Sequence, residues 1–135
     1  MKALLDNNLS YRIASALHIL VEPDGHEVRH LTERFPADTP DEEWLAALTR
    51  QGDWIVISGD ITIYKNRFQR EAWAQSGVTG FFLAPGWHRM RNLEQAARLI
   101  QWWPRIVSQV ALVAAGAAFE VPIKPGPGKF RQLKR

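Results

Sequence analysis

A chain of 135 residues is enough for one α/β domain that buries roughly two-thirds of the surface its unfolded form exposes. It holds six tryptophans and no cysteine, which excludes disulfides, thiolate zinc sites and cysteine nucleophiles and suits a reducing, cytoplasmic setting. The formal charge of +3 is uneven: Lys124, Lys129, Arg131, Lys134 and Arg135 carry no acid among them, leaving 12 basic against 14 acidic residues, about −2, over residues 1–123.

No apolar leader precedes Asp6, and the longest uncharged run, Ile106 to Phe119, falls short of the ~20 residues a membrane span requires. Lys2-Ala3-Leu4-Leu5 reads as a buried strand that ends on Asp6-Asn7-Asn8, residues that favour helix starts. Leu9, Ile13, Leu17 and Leu20 follow at helical spacing. Pro23-Asp24-Gly25 is a turn, and His26 to Leu31 reads as the second strand. From Asp38, acids crowd the first turn of a helix that ends at Gln51-Gly52, placed where the positive end of the helix dipole favours them. Trp54-Ile55-Val56-Ile57 is continuously apolar, as a central parallel strand covered on both faces must be, and it runs into Ser58-Gly59-Asp60. A helix from Asn66 to Ser76 closes on Gly77, and a strand from Gly80 to Ala84 stops at Pro85-Gly86. Leu93, Ala96, Ala97, Ile100, Trp103 and Val107 keep helical spacing through a long helix that Pro104 should kink or divide. Phe119 to Ile123 reads as the last strand, and Pro125-Gly126-Pro127-Gly128 as a flexible exit. The alternation predicts an α/β fold with an open, mostly parallel sheet of four or five strands and helices on both faces. It occupies residues 1–123, with a basic Pro/Gly-rich tail over residues 124–135.

Sites in open α/β sheets form beyond the carboxyl ends of the strands. Asp6 and Asp60 each follow a predicted strand, and Asp41 opens the helix that leads back towards Asp60. Converging carboxylates, without cysteine or a suitable histidine set, favour a hard cation held by oxygen. Such an ion clamps a phosphodiester and lowers the pKa of bound water. Gly59 permits unusual backbone angles beside Asp60. The competing role for Asp6 and Asp41 is helix capping.

The ordered segments Asp6-Asn7-Asn8-Leu9, Gly25-His26-Glu27-Val28, Asp41-Glu42-Glu43-Trp44-Leu45 and Val56-Ile57-Ser58-Gly59-Asp60 resemble those of PIN-like domains. The closest resemblance is to the compact branch of VapC-type toxins from toxin–antitoxin systems. It continues through Glu71-Ala72, Phe82-Leu83-Ala84-Pro85, the Gln95 to Pro104 helix and Phe119-Glu120-Val121-Pro122. The resemblance implies an RNA endonuclease using Mg2+ or Mn2+, with Asp6, Asp41 and Asp60 as ligands and a metal-activated water leaving 5′-phosphate and 3′-hydroxyl ends. Ser58 matches the hydroxyl residue that stands two before the third acid. Where many PIN domains place a further acid, this chain reads Ile61-Thr62-Ile63-Tyr64-Lys65, and Glu71 is the substitute for the fourth ligand. Lys65, Arg67 and Arg70 follow the acids closely and suit substrate phosphates. A toxin implies an antitoxin protein as partner. Trp87, Trp102 and Trp103 suit either that interface, a homodimer or the core. The departure after Asp60 leaves a second expectation open, a PIN-like module that binds RNA or protein without cutting.

His26-Glu27-Val28-Arg29-His30 spells the zinc-protease pattern H-E-x-x-H. That chemistry needs a helix. On a strand the two histidines stand about 13 Å apart, four steps of ~3.3 Å, and cannot share an ion.

Overall fold

The computed structural model describes residues 1–126 and 128–133, including every side chain there except that of Ile63. Pro127 of the expected exit, and Lys134 and Arg135 of the basic tail, lie outside the described residues. Among the described residues six strands form one sheet: β1 (Lys2–Leu5), β2 (Glu27–His30), β3 (Trp54–Ser58), β4 (Thr79–Leu83), β5 (Ala118–Val121) and β6 (Arg131–Gln132). Their order is β2-β1-β3-β4-β5-β6; the first five are parallel, and β6 runs antiparallel to β5. The helices are α1 (Tyr11–Val21), α2 (Leu31–Arg34), α3 (Asp41–Gln51), α4 (Thr62–Lys65), α5 (Arg67–Ser76) and α6 (Asn92–Leu112).

Alternation along the strands divides the core in two, since successive side chains of a strand point to opposite faces. Leu5, Ile55, Ile57 and Phe81 pack under α1 and α6, with Ile13, Leu17, Leu99 and Ile106. Leu4, Trp54, Val56 and Phe82 pack under α3 and α5, with Trp44, Leu48 and Trp73. Both faces of the parallel sheet are thus covered, as the unbroken apolar run of β3 requires. All six tryptophans are buried. Trp87, Trp102 and Trp103 therefore belong to the core and not to a partner surface.

Several expectations are corrected. The helix after β1 starts at Ser10, whose hydroxyl accepts from the Arg12 amide, so Asp6 to Leu9 form a loop. Leu20, expected on the buried face, is exposed. Residue 31 opens the one-turn helix α2 instead of extending β2, because the buried His30 ring caps that turn. Residues 38–40 precede α3, which begins at Asp41 after Pro40. Pro104 does not divide α6. The proline is exposed, so the Ile100 carbonyl that it leaves without an amide partner can take water. Within the exit and tail, the Arg105 guanidinium donates to the carbonyls of Gly126 and Gly128. Phe130 packs on Trp102, Phe81 and Phe119, and β6 then adds a strand. No helix among the described residues is long and apolar enough to cross a membrane.

Gly80, in the middle of β4, has ring atoms of Phe82 and Trp73 at 2.8 and 3.0 Å from where a Cβ would stand. Gly80→Ala is expected to overpack this layer and cost about 1–3 kcal/mol, read from the urea unfolding midpoint.

Candidate active site at the carboxyl edge of the sheet

The strand order reverses beside β1, with β2 on one side and β3 on the other. The exits of neighbouring strands that leave in opposite directions open a crevice there. Asp6 follows β1 directly, and its backbone amide donates to the Ile57 carbonyl of β3 at 3.3 Å. Asp6 is 4% exposed. The carboxylate accepts from the amides of Asn8 at 3.1 Å and Gly59 at 3.2 Å, and from the Ser58 hydroxyl. One buried carboxylate thus ties the exit of β1 to that of β3. Burial raises its pKa, the three hydrogen bonds oppose that rise, and the charge of Asp41 adds to it.

Asp41 reaches this edge from the first turn of α3, half-buried. Burial raises its pKa, the Trp44 indole that donates to it at 3.1 Å opposes the rise, and neighbouring Glu42 adds to it. The segment before it is tied to the Asp6 loop, because the Asn7 side-chain amide donates to the Ala37 carbonyl at 3.0 Å. Neither Asp6 nor Asp41 caps a helix: Ser10 and Pro40 hold those positions.

Asp60 makes the helix-starting bonds instead. Its carboxylate accepts from the amide of Thr62 at 2.9 Å and from the Thr62 hydroxyl, at the entrance to α4. Its own amide donates to the Ser58 hydroxyl at 3.2 Å. Ser58 is fully buried, so its hydroxyl links Asp6 to the Asp60 backbone and does not face outward to a substrate. Glu71 is exposed on α5 and ion-paired with Arg67 at 3.2 Å. Among the described residues no three His, Asp or Glu side chains are gathered closely enough to hold a metal ion as they stand. Asp6 and Asp41 are brought into each other's field, whereas Asp60 and Glu71 are engaged locally. Lys65 and Arg67 are exposed and Arg70 is partly so, on α4 and α5 just beyond Asp60.

Gly59 is needed for a different reason from the one its sequence suggests. Its φ lies outside the left-handed region. A Cβ there would stand 2.9 Å from the Asn8 Cβ and 3.0 Å from the Asn8 carbonyl oxygen, so the loops after β1 and β3 touch at this residue. The H-E-x-x-H pattern lies on a strand and its mouth. The His26 ring meets the N-terminal amine at 3.1 Å, while His30 Nε2 bonds the Leu9 carbonyl at 2.7 Å. The Thr32 amide donates to His30 Nδ1, which makes Nε2 the protonated nitrogen and the donor to Leu9. His30 therefore holds the far end of the Asp6 loop. Sequence reasoning missed this role; its only local signal is the Glu33 that completes a capping box with His30.

A family model described as a PIN-like domain matches residues 1–85, from β1 past β4. The chain belongs to the PIN-like domain family. That family has a nuclease-type fold, and the matched region contains Asp6, Asp41 and Asp60. No curated protein and no solved structure matches the chain. In this PIN-like domain, carboxylate oxygens are the only anionic donors among the three aspartates. The groups that act on Asp6 are burial, three hydrogen-bond donors and another acid, with no base among them. A hard divalent cation fits that donor set, since it would offset the like charges.

Because burial raises the Asp6 pKa, the folded state holds its proton more tightly than the unfolded chain does between the ordinary carboxylate pKa and the raised one. Stability falls as pH rises through that window, and the full penalty of the ionised form is present above it. In EDTA, Asp6→Asn is therefore expected to be more stable than the parent at neutral pH, with the difference shrinking under acid. Urea midpoints across the pH series check this; an Asn variant less stable at neutral pH contradicts it. Gly59→Ala is expected to cost about 1–3 kcal/mol by forcing the two loops apart, measured in the same way.

Proposed function

We propose that this PIN-like domain is a metal-dependent endoribonuclease that hydrolyses RNA phosphodiester bonds with Mg2+ or Mn2+. The observation that carries the reading is the desolvated Asp6 carboxylate, placed at the reversal point of the sheet in the field of Asp41 with no base to offset it. Asp6 and Asp41 would hold the cation, joined by Asp60 on turning from Thr62, with Glu71 as a further ligand on leaving Arg67. The cation supplies a water of lowered pKa and neutralises charge on the phosphate. The chain's own part is orientation. Ser58, Asn8 and Gly59 fix the Asp6 carboxylate, and Lys65, Arg67 and Arg70 draw the RNA backbone to the acids. The motif order that resembles VapC-type toxins supports a narrower form, the toxin of a type II pair with its antitoxin as partner, acting alone or as a homodimer.

A second reading, a PIN-like module that binds RNA or protein without cutting, is favoured by Asp60 bonding Thr62 and Glu71 bonding Arg67. Cleavage of a labelled RNA pool with Mn2+, Mg2+ or EDTA separates the two. The nuclease reading expects metal-dependent cutting that falls at least about a hundredfold in Asp6→Asn and in Asp60→Asn, the scale on which one lost electrostatic contribution to a transition state is felt. It also expects Mn2+ to raise the parent's melting temperature and not that of Asp6→Asn, because a ligand stabilises only the state that binds it. Cutting that persists in EDTA or in both variants sinks the proposal.

A further inference from the structure

The acids share their edge of the sheet with a second set of charged groups. β1, β3 and β4 are adjacent and parallel, so their exits lie along one edge. Strand spacing of about 4.8 Å puts the β4 exit one strand from that of Asp60 and two from that of Asp6. Residues 84–93, which make this exit, contain His88, Arg89 and Arg91 and no acid. All three basic side chains are exposed.

The turn that presents them is firmly anchored. A single 3-10 turn, Trp87–Arg89, is closed by the Met90 amide donating to the Trp87 carbonyl at 3.0 Å. Trp87 is 1% exposed, and its indole donates to the Val121 carbonyl at the end of β5 at 3.1 Å. The buried Gln95 amide donates to the Trp87 carbonyl at 2.7 Å. Buried polar bonds thus hold a turn whose outward charges are all cationic. Arg29, Arg67 and Arg131 are ion-paired with Glu27, Glu71 and Glu120, whereas exposed Arg12 and Arg50, like the two arginines of this turn, have no acidic partner among the described residues. What sets Arg89 and Arg91 apart is their place: two exposed cations at a backbone-anchored turn, one strand along the edge from the exit of Asp60, suit an anionic polymer that passes over that edge.

We propose that the Trp87–Arg91 turn is a phosphate clamp for single-stranded RNA, in which Arg89 and Arg91 grip the backbone on the β4 side of the acids. This rests on the nuclease reading and adds to it the path of the substrate. Lys65, Arg67 and Arg70 bracket the acids from α4 and α5, and Phe68 stands 80% exposed among them. An exposed ring between cations offers a stacking face that only an unpaired base can use, which favours a single strand over a duplex.

The test measures binding apart from cleavage. A fluorescent single-stranded RNA oligonucleotide is titrated by anisotropy in EDTA, over a salt series, against Asp6→Asn protein. Adding Arg89→Ala and Arg91→Ala is expected to weaken binding about tenfold and to flatten the slope of log Kd on log salt by about 0.7 per lost phosphate contact. Arg50→Ala, at the end of α3 remote from Asp41, is expected to change neither. The clamp is overturned if the double variant keeps the starting affinity and slope, if Arg50→Ala does equal harm, if duplex RNA of equal length binds as tightly, or if no RNA binds. Metal-dependent cleavage by the parent is scored separately. Cleavage with an unaltered salt slope removes the clamp and leaves the nuclease; a flattened slope without cleavage at any metal concentration does the reverse.

Discussion

A carboxylate out of reach of water is costly unless it is bonded, and Asp6 is bonded from two directions. Its partners come from its own loop at Asn8 and from the exit of the neighbouring strand at Ser58 and Gly59. Those bonds oppose the desolvation that burial imposes, without removing it. The geometry they demand reaches outward. Gly59 must lack a Cβ so that the two loops can touch, Ser58 must be buried to serve both Asp6 and the Asp60 amide, and His30 must bond Leu9 to hold the loop's other end. A large part of what surrounds the crevice between β1 and β3 follows from keeping one ionisable group in place.

The cores beneath this edge explain why it can be held so closely. Each face of the sheet is covered by its own helices, and Trp44 takes part in both jobs, as a buried ring against Trp73 and as a donor to Asp41. Trp87 does the same on the opposite face: its ring is core, its indole N–H fixes β5, and the turn it begins leaves His88 and Arg89 exposed. Packing and site are therefore not separate layers. The side chains that fill the interior also set where charge is presented, with desolvated acids at the reversal point and basic segments after β3 and β4.

Three features take a different form in the structure from the one the sequence suggests. Capping was assigned to Asp6 and Asp41 as the competing role, yet it is Asp60 that makes the bonds to a helix start. Gly59 looked like a residue chosen for its φ, and it proves to be one chosen for contact with Asn8. The basic Pro/Gly-rich tail carries no strand pattern in the sequence, and it returns as β6 with Phe130 among the core rings. For Gly59 and the tail the deciding partners, Asn8 and the core rings, are remote in sequence, whereas Asp60 bonds its near neighbour Thr62. Local pattern reports what a residue can do with its neighbours and says nothing of what a strand fifty residues away will bring to it.

Periodicity and composition by themselves determined the α/β alternation, the parallel core strand at residues 54–57 and the strand reading of the H-E-x-x-H segment, because each is a local consequence of apolar spacing and turn residues. The order of acids along the chain was equally visible, and the family match covers all three. Only the tertiary structure decided that Asp6 and Asp41 share a field while Asp60 bonds Thr62, and that His30 and Ser58 position the loops around them. Burial and long-range hydrogen bonds set a carboxylate's charge and reach, and those exist only once β1, β3 and α3 have come together.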